Sequence, residues 1–307
     1  MTEELKPTLM DTAIFEDYLK ADLKIAPNTA YLYRTMANAF LLTNPNLLDV
    51  NTYNDHITKV SFKKRSYSSY YALKKFIEYK FEGKDNRITK TRLLAQLLRP
   101  KMPKGIKRER AHLDDDTLLR IISNMSSFKH RVIALIQKST GVRAGDVLRL
   151  ADGHIFEEKQ ADGTIILSVR TIGKGNKRHV VTIHNQEIVQ VVLNYINVKP
   201  FNIIDGYYFL KKQKGKIVSK DETLVYRNNF DKYHMDLKRA MHGCNIDKTQ
   251  FSTHGFRHAF ATKVWEKYKD LIILQRIMNH EDPKTTIRYL AQTGLDNKNI
   301  YKEIQDL

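Results

Sequence analysis

The stretch "STHGFRHAFAT", residues 252–262, sets His254, Arg257 and His258 within five positions, among Phe256, Ala259, Phe260 and Ala261. On a helix, a histidine and an arginine three positions apart share a face. Together they offer a proton-transfer group and a fixed cation, which suits an anionic substrate. Phe256, Phe260 and Val264 fall at four-residue steps on a different face. The spacing predicts a helix that docks its phenylalanines in a core while His254, Arg257, His258 and Ala261 look into a cleft. A lone histidine beside a core is more often structural, so the pair by itself is a weak signal.

Three more stretches carry groups of the same kind. "STGVRAGDVLRL" puts Arg143 just after a Thr–Gly break, at the start of a new helix. A helix N-terminus favours anions, and a guanidinium grips phosphate through two parallel hydrogen bonds. Asp146, three residues on, can orient a neighbour or favour that N-terminus; in isolation Arg143 reads as a surface salt bridge. "TIGKGNKRHV" carries Lys174 at a glycine-flanked hairpin tip, followed by Lys177 and Arg178. It lacks the G-x-x-x-x-G-K-[ST] spacing of a nucleotide P-loop. In "LQRIMNHEDPKTTIRYLAQT", His280 follows an apolar helix, Asp282-Pro283 starts the next, and Tyr289 lies nine residues beyond His280. The chain has 16 tyrosines, so identity alone does not single out Tyr289.

The elements that must position these groups are legible in the pattern. Residues 12 to about 83 read as helical. Ile14, Phe15, Tyr18, Leu19 and Leu23 form one helix face, and Tyr31, Met36, Phe40 and Leu41 the inner stripe of a second helix capped by Asn28 or Thr29. "SFKKRSYSSYYALKKFIEYKF" mixes tyrosines with Lys63, Lys64, Arg65, Lys74 and Lys75, a helix that could lie along a phosphate backbone. About half of its aromatics are expected in the core. Residues 100–112, "PKMPKGIKRERAH", combine prolines, a glycine and a basic run, and read as a linker. Lys104, Lys107, Arg108 and Arg110 make it either a solvated spacer or a strap along a polyanion. Beyond it, Asp114 or Asp115 caps a helix, and a strongly apolar helix breaks at Gly141. The period then changes to two, predicting three short strands, with turns at Asp162-Gly163 and at 173–177. Helices return over about 186–197, 223–243, 254–268, 270–279 and 283–291.

Composition bounds the function. The chain has 307 residues, 42% of them hydrophobic, and a formal net charge of +18. A large core can be buried, and the charge favours a polyanionic partner, nucleic acid or an anionic membrane surface. No apolar run is long enough for a transmembrane helix, and the N-terminus lacks a signal-peptide pattern. Cys244 is the only cysteine, which leaves no disulfide framework or thiolate zinc site and fits a reducing compartment. No compact carboxylate cluster suggests a two-metal nuclease.

The order of the motifs is the decisive feature. Arginine in T-G-x-R, lysine in a G-K-G hairpin, H-x-x-R-H, a histidine, then tyrosine nine residues later resembles the tyrosine recombinase (phage-integrase) family over about residues 112–292. The resemblance implies a mainly α fold with a small antiparallel β-sheet in the catalytic domain (α+β), arranged as a C-shaped clamp on double-stranded DNA. It implies an N-terminal helical core-binding domain at 1–99, a basic linker at 100–112, a catalytic domain at 113–292 and a C-terminal tail at 293–307. Tyr289 would be the nucleophile that forms a 3′-phosphotyrosine. Arg143 and Arg257 would clamp the nonbridging oxygens, and Lys174 would protonate the leaving 5′-oxygen. His254 would do acid/base work near the tyrosine, His280 would hydrogen-bond the phosphate, and His258 and Asp146 would support.

The same resemblance implies cutting and rejoining without metal, ATP or other cofactor, by a tetramer on two DNA sites in the cytoplasm, at the nucleoid, and not at a membrane. It leaves open an accessory DNA-bending or regulatory protein. A catalytically silent DNA-binding accessory protein and a type IB topoisomerase-like enzyme are the alternatives. The family usually has glycine where this chain has Asn279, which predicts a positive φ there. It often has polar residues where this chain has Ala144 and Gly145. The tail carries Ile300, Tyr301, Ile304 and Leu307 and would fold onto its own domain or dock in a neighbouring protomer.

Overall fold

Helical periodicity builds the N-terminal part of the chain. The computed structural model describes residues 10–60, 65–100, 113–172, 178–198, 203–204, 206–211, 222–283 and 285–287. The chain divides into two units, Met1–Lys107 and Arg108–Leu307. The first contains α1 (Met10–Ala21), α2 (Pro27–Leu41), α3 (Val50–Val60), α4 (Arg65–Lys80) and α5 (Arg87–Gln96). Phe15, Leu19, Phe40, Tyr53, Phe76, Ile77 and Leu93 fill its core. Glu16 is buried with them, and its carboxylate is held by Lys20 and Arg34, each at 2.7 Å.

Two details of this unit differ from the expected pattern. Ile14 is exposed, and Tyr31 and Met36 are only half-buried, because Ala30 and Ala37 take the inner positions of α2. The small residues let helix backbones approach more closely than a tyrosine or methionine would. The second helix also starts earlier than Asn28. Pro27 takes its first turn behind Ala26, with no side-chain cap. Proline suits that position because the N–H it lacks has no helical partner there.

The second unit runs α6 (Asp115–Ser123), α7 (Phe128–Thr140), α8 (Ala144–Leu148), β1 (Ile155–Lys159), β2 (Ile165–Ile172), β3 (Arg178–Ile183), α9 (Gln186–Val198), α10 (Glu222–Gly243), α11 (Gly255–Tyr268) and α12 (Leu271–Ile277). Asp114 caps α6 by accepting from the Thr117 N–H at 2.7 Å. The strands form one antiparallel sheet in the order β1-β2-β3, with Glu157 opposite Leu167 and Leu167 opposite Ile183. Leu167, Val169 and Ile183 turn into the core, as strand alternation requires. Gly163 supplies a positive φ in the β1–β2 turn, and the Asp162 carboxylate accepts from the Thr164 N–H. The second turn, 173–177, lies outside the described residues. Among the described residues no helix is long and apolar enough to cross a membrane.

Helix α7 is the spine of this unit, packing against α6, α8, α9, α11 and β3. It ends where the sequence predicts. Gly141 adopts a left-handed conformation, φ +67°, and its N–H bonds back to the Gln137 carbonyl. A Cβ on Gly141 would clash with the Phe260 ring of α11. Gly141→Ala therefore combines a left-handed penalty with an overpacked contact, and is expected to destabilise by about 2–4 kcal/mol in urea unfolding. A loss below about 0.5 kcal/mol would mean that neither constraint operates.

Candidate active site

Arg257 lies in the first turn of α11 and is 4% exposed. A guanidinium that deep must be hydrogen-bonded or it destabilises the fold. Its Nη1 donates to the Gly141 carbonyl at 2.7 Å, and its Nη2 donates to the Met278 carbonyl. The same Nη2 lies 3.0 Å from His280 Nε2. One side chain thus ties the end of α7 to the end of α12. This corrects the expected two-faced helix. Arg257 and Ala261 are buried alongside Phe256, whereas Phe260 is only partly covered. Helices α7 and α12 both pack against α11, so its own periodicity does not mark which residues of its first turns reach the surface.

The geometry also settles the protonation of His280. Guanidinium nitrogens only donate, so Nε2 accepts from Arg257 and carries no proton. Nδ1, 2.9 Å from Thr286 Oγ1, then holds the ring proton and donates it. The ring is buried, and burial together with Arg257, Arg143 and His254 pushes its pKa down to about 4. Asn279 has φ +49°, the left-handed conformation expected of it, and delivers His280 to this position. The His280 N–H and carbonyl are both held by Gln275.

Arg143 sits at the N-cap of α8 with 43% of its side chain exposed. Its Nη1 is 3.8 Å from Asp146 Oδ2. Burial raises the pKa of Asp146 despite the opposing pull of Arg143, Arg149 and Arg257. Arg149 stacks on the Tyr226 ring at 3.9 Å. The small residue at 145 has a steric reason, since any Cβ there would meet the Tyr226 hydroxyl. His254 is the N-cap residue of α11, and its ring meets His258 edge to face at 5.3 Å.

One group here was not anticipated. His179, on the inner side of β3 with Val181 and Ile183, donates to the Ile277 carbonyl. Burial lowers its pKa, and Arg257 and Arg143 lower it further, so it belongs to the same cationic neighbourhood. The period-two pattern of the strand was the only signal that could have pointed it inward.

The structure therefore brings Arg143, Asp146, His254, Arg257 and His280 together, with His258 beside His254. Tyr289, Lys174, Lys177, Lys63, Lys64, Lys104, Lys107, Arg108 and Arg110 lie outside the described residues, as does the side chain of Arg65. Arg178 is exposed at the start of β3. Lys74 is half-buried on α4, and Lys75 pairs with Glu78 at 2.6 Å, which ties it to its own helix.

A buried arginine–histidine pair beside an arginine with 43% of its side chain exposed is an arrangement suited to an anion. The chain belongs to the phage integrase family, whose model matches residues 111–294. It is 26% identical over 285 residues to the tyrosine recombinase XerA of Pyrococcus horikoshii, covering 91% of this chain and 88% of that one. The match to XerD of Rickettsia prowazekii, also 26% identical, spans about half of each protein, 49% and 47%. Among solved structures, the XerH recombinase bound to a palindromic difH substrate has a similar fold, with TM-score 0.58 and 16% identity over 91% of this chain and 80% of that one. A lambda integrase dimer on a COC′ core site gives TM-score 0.58 and 16% identity over 90% and 96%.

The buried pairing has a pH signature. The folded-state pKa of His280 lies below that of a free imidazole, so the unfolded chain binds this proton more tightly. Stability is full above about pH 6.5 and is lost as pH falls toward about 4. His130 and His179, also depressed, pull the same way. NMR titration of the His280 ring should show no midpoint between pH 8 and 5. A midpoint near 6.5 would contradict the Arg257–His280 pairing.

Proposed function

We propose that this protein is a site-specific recombinase that cuts and rejoins duplex DNA through a 3′-phosphotyrosine formed by Tyr289. The observation that carries the reading is the cluster of arginines and histidines itself. Arg143, the His254–Arg257 stretch and His280 come from three separate segments, with Arg257 reaching 116 positions back to Gly141, inside the span that matches the family. Phosphodiester displacement builds negative charge on the nonbridging oxygens, and preorganised cations stabilise it without reorganising.

Exposed Arg143 is the group suited to meet the phosphate first, and Arg257 supplies a fixed charge behind it. The carbonyl and imidazole partners of Arg257 named above are neutral, so they hold it without cancelling that charge. Tyr289 Oη attacks phosphorus, the bond to the 5′-oxygen breaks, and Lys174 gives that oxygen its proton. His254 handles the tyrosyl proton, with His258 and Asp146 supporting. His280 engages both ring nitrogens within the DNA-free protein, so its contact with phosphate requires it to exchange Arg257 or Thr286 for the new partner. The tyrosyl phosphodiester keeps the bond energy, and the reverse attack by a 5′-hydroxyl rejoins the strand.

In this reading residues 1–99 form the core-binding domain, and the linker at 100–112 follows the DNA backbone. Lys63, Lys64, Arg65, Lys74, Lys75, Lys104, Lys107, Arg108, Arg110, Lys177 and Arg178 contribute phosphate contacts. The active assembly is a tetramer on two sites, with tail 293–307 docking in a neighbouring protomer, and it works in the cytoplasm at the nucleoid.

The test is a nicked suicide substrate carrying the site recovered from bound genomic fragments, read as a covalent adduct on a denaturing gel. Wild type should form the adduct and Tyr289→Phe should not. Arg143→Ala should slow single-turnover cleavage by about 10²–10³-fold and leave stability nearly unchanged. Arg257→Ala should slow it similarly and also destabilise the fold, by about 1–3 kcal/mol for each carbonyl left without its donor. Specific binding without an adduct would instead indicate an accessory DNA-binding protein. Relaxation without site preference would indicate topoisomerase-like action, and an adduct from Tyr289→Phe would place the nucleophile elsewhere.

A further inference from the structure

Gln137 is a fully buried carboxamide on α7, one turn before the Gly141 break, with Ile133 and Ile136 near it in sequence. An apolar side chain of the same size would fill that space without the cost of burying an amide. The amide uses both of its donors. Nε2 donates to the Val142 carbonyl at 3.2 Å and to the Thr253 carbonyl at 3.1 Å. Oε1 accepts from the Tyr233 hydroxyl at 2.7 Å. A flipped amide would aim its oxygen at two carbonyl oxygens, so these three contacts define one orientation. Tyr233, on α10, is itself fully buried, and that burial pushes its pKa upward, so the phenol remains a donor.

The two carbonyls belong to the residues immediately before Arg143 and His254. Those residues start the loop-to-helix turns of α8 and α11, which are otherwise distant in sequence. Arg257 joins the same region through the Gly141 carbonyl. We propose that the Gln137 carboxamide, locked by Tyr233, is a positioning group that holds the Val142 and Thr253 carbonyls to one point and so sets the separation of Arg143 and His254. The inference rests on the strand-cleavage reading above for its catalytic consequence, and on the hydrogen bonds alone for its structural one.

The experiment compares wild type, Gln137→Met, Gln137→Glu and Tyr233→Phe, each at a temperature where unfolding controls show it folded. DNA affinity and single-turnover adduct formation are measured separately. Gln137→Met keeps the volume and loses both donors. Cleavage is expected to fall by about 10–100-fold, the scale of a misplacement of around 1 Å, while the DNA Kd changes less than about threefold. Tyr233→Phe frees the amide but leaves its donors, and should cost about fivefold in cleavage. Gln137→Glu, ionised, offers no donor; its cleavage rate should recover in part as pH falls and the buried carboxyl gains a proton able to donate.

A second readout needs no activity. Arg143 and His254 help depress the His280 pKa, so a drift of their loops in Gln137→Met or Tyr233→Phe should raise the His280 NMR midpoint from about 4 toward that of a free imidazole. If wild type forms no adduct, the strand-cleavage reading fails and this midpoint decides the positioning inference. Should Gln137→Met not fold, Tyr233→Phe carries both measurements. Cleavage and midpoint both matching wild type in the folded variants would overturn the proposal, as would DNA affinity falling in step with cleavage.

Discussion

The C-terminal unit is organised around one buried cation. Arg257 is almost fully removed from water, and hydrogen bonds from its guanidinium offset part of the cost of that removal. Those bonds run to the carbonyl that ends α7 and to the carbonyl and imidazole that follow α12. The requirement propagates outward. Gly141 must turn left-handed and lack a side chain, so that its carbonyl faces Arg257 while Phe260 lies against its Cα. Asn279 must also turn left-handed, so that Met278 and His280 can both reach the guanidinium.

The electrostatic consequence follows from which partners were chosen. A carboxylate in place of His280 would satisfy the guanidinium and neutralise it. Two carbonyls and a neutral imidazole accept from its terminal nitrogens without adding a negative charge. His280 and His179 both have depressed pKa values, so these two imidazoles stay neutral near pH 7 and do not repel Arg143 or Arg257. The result is a site with strong positive potential and limited internal repulsion. That combination suits an anion whose own charge grows during reaction. Asp146 moderates the potential beside Arg143, and its raised pKa shows how far burial weakens even a carboxylate flanked by arginines.

Much of the architecture was legible locally. The Asp114 cap, the Gly141 break, the three strands and the positive φ at Asn279 each depend on a residue and its near neighbours. The order of Arg143, Lys174, His254–Arg257–His258, His280 and Tyr289 was enough to suggest the family that the comparison then established. The faces of the helices were less legible. Met36 and Ile14 followed the apolar spacing and still lie off the core, because alanines take the closest helix–helix contacts in the N-terminal unit. Arg257 was expected on an open face and is buried, because α7 and α12 cover it from outside its own helix.

By itself, then, the sequence determined which candidate groups this protein carries, in what order, and the local caps, breaks and strands around them, since caps, glycine breaks and alternation act over a few residues. Only the tertiary structure decided which cation is buried and which is exposed, which nitrogen of His280 holds the proton, that His179 joins the site, and that Gln137 links two loops 110 or more residues apart. Each of these depends on which partner happens to arrive from a distant segment. The protonation of a ring or the charge left on a guanidinium is set by that partner's donors and acceptors, and the short-range pattern of the chain does not contain them.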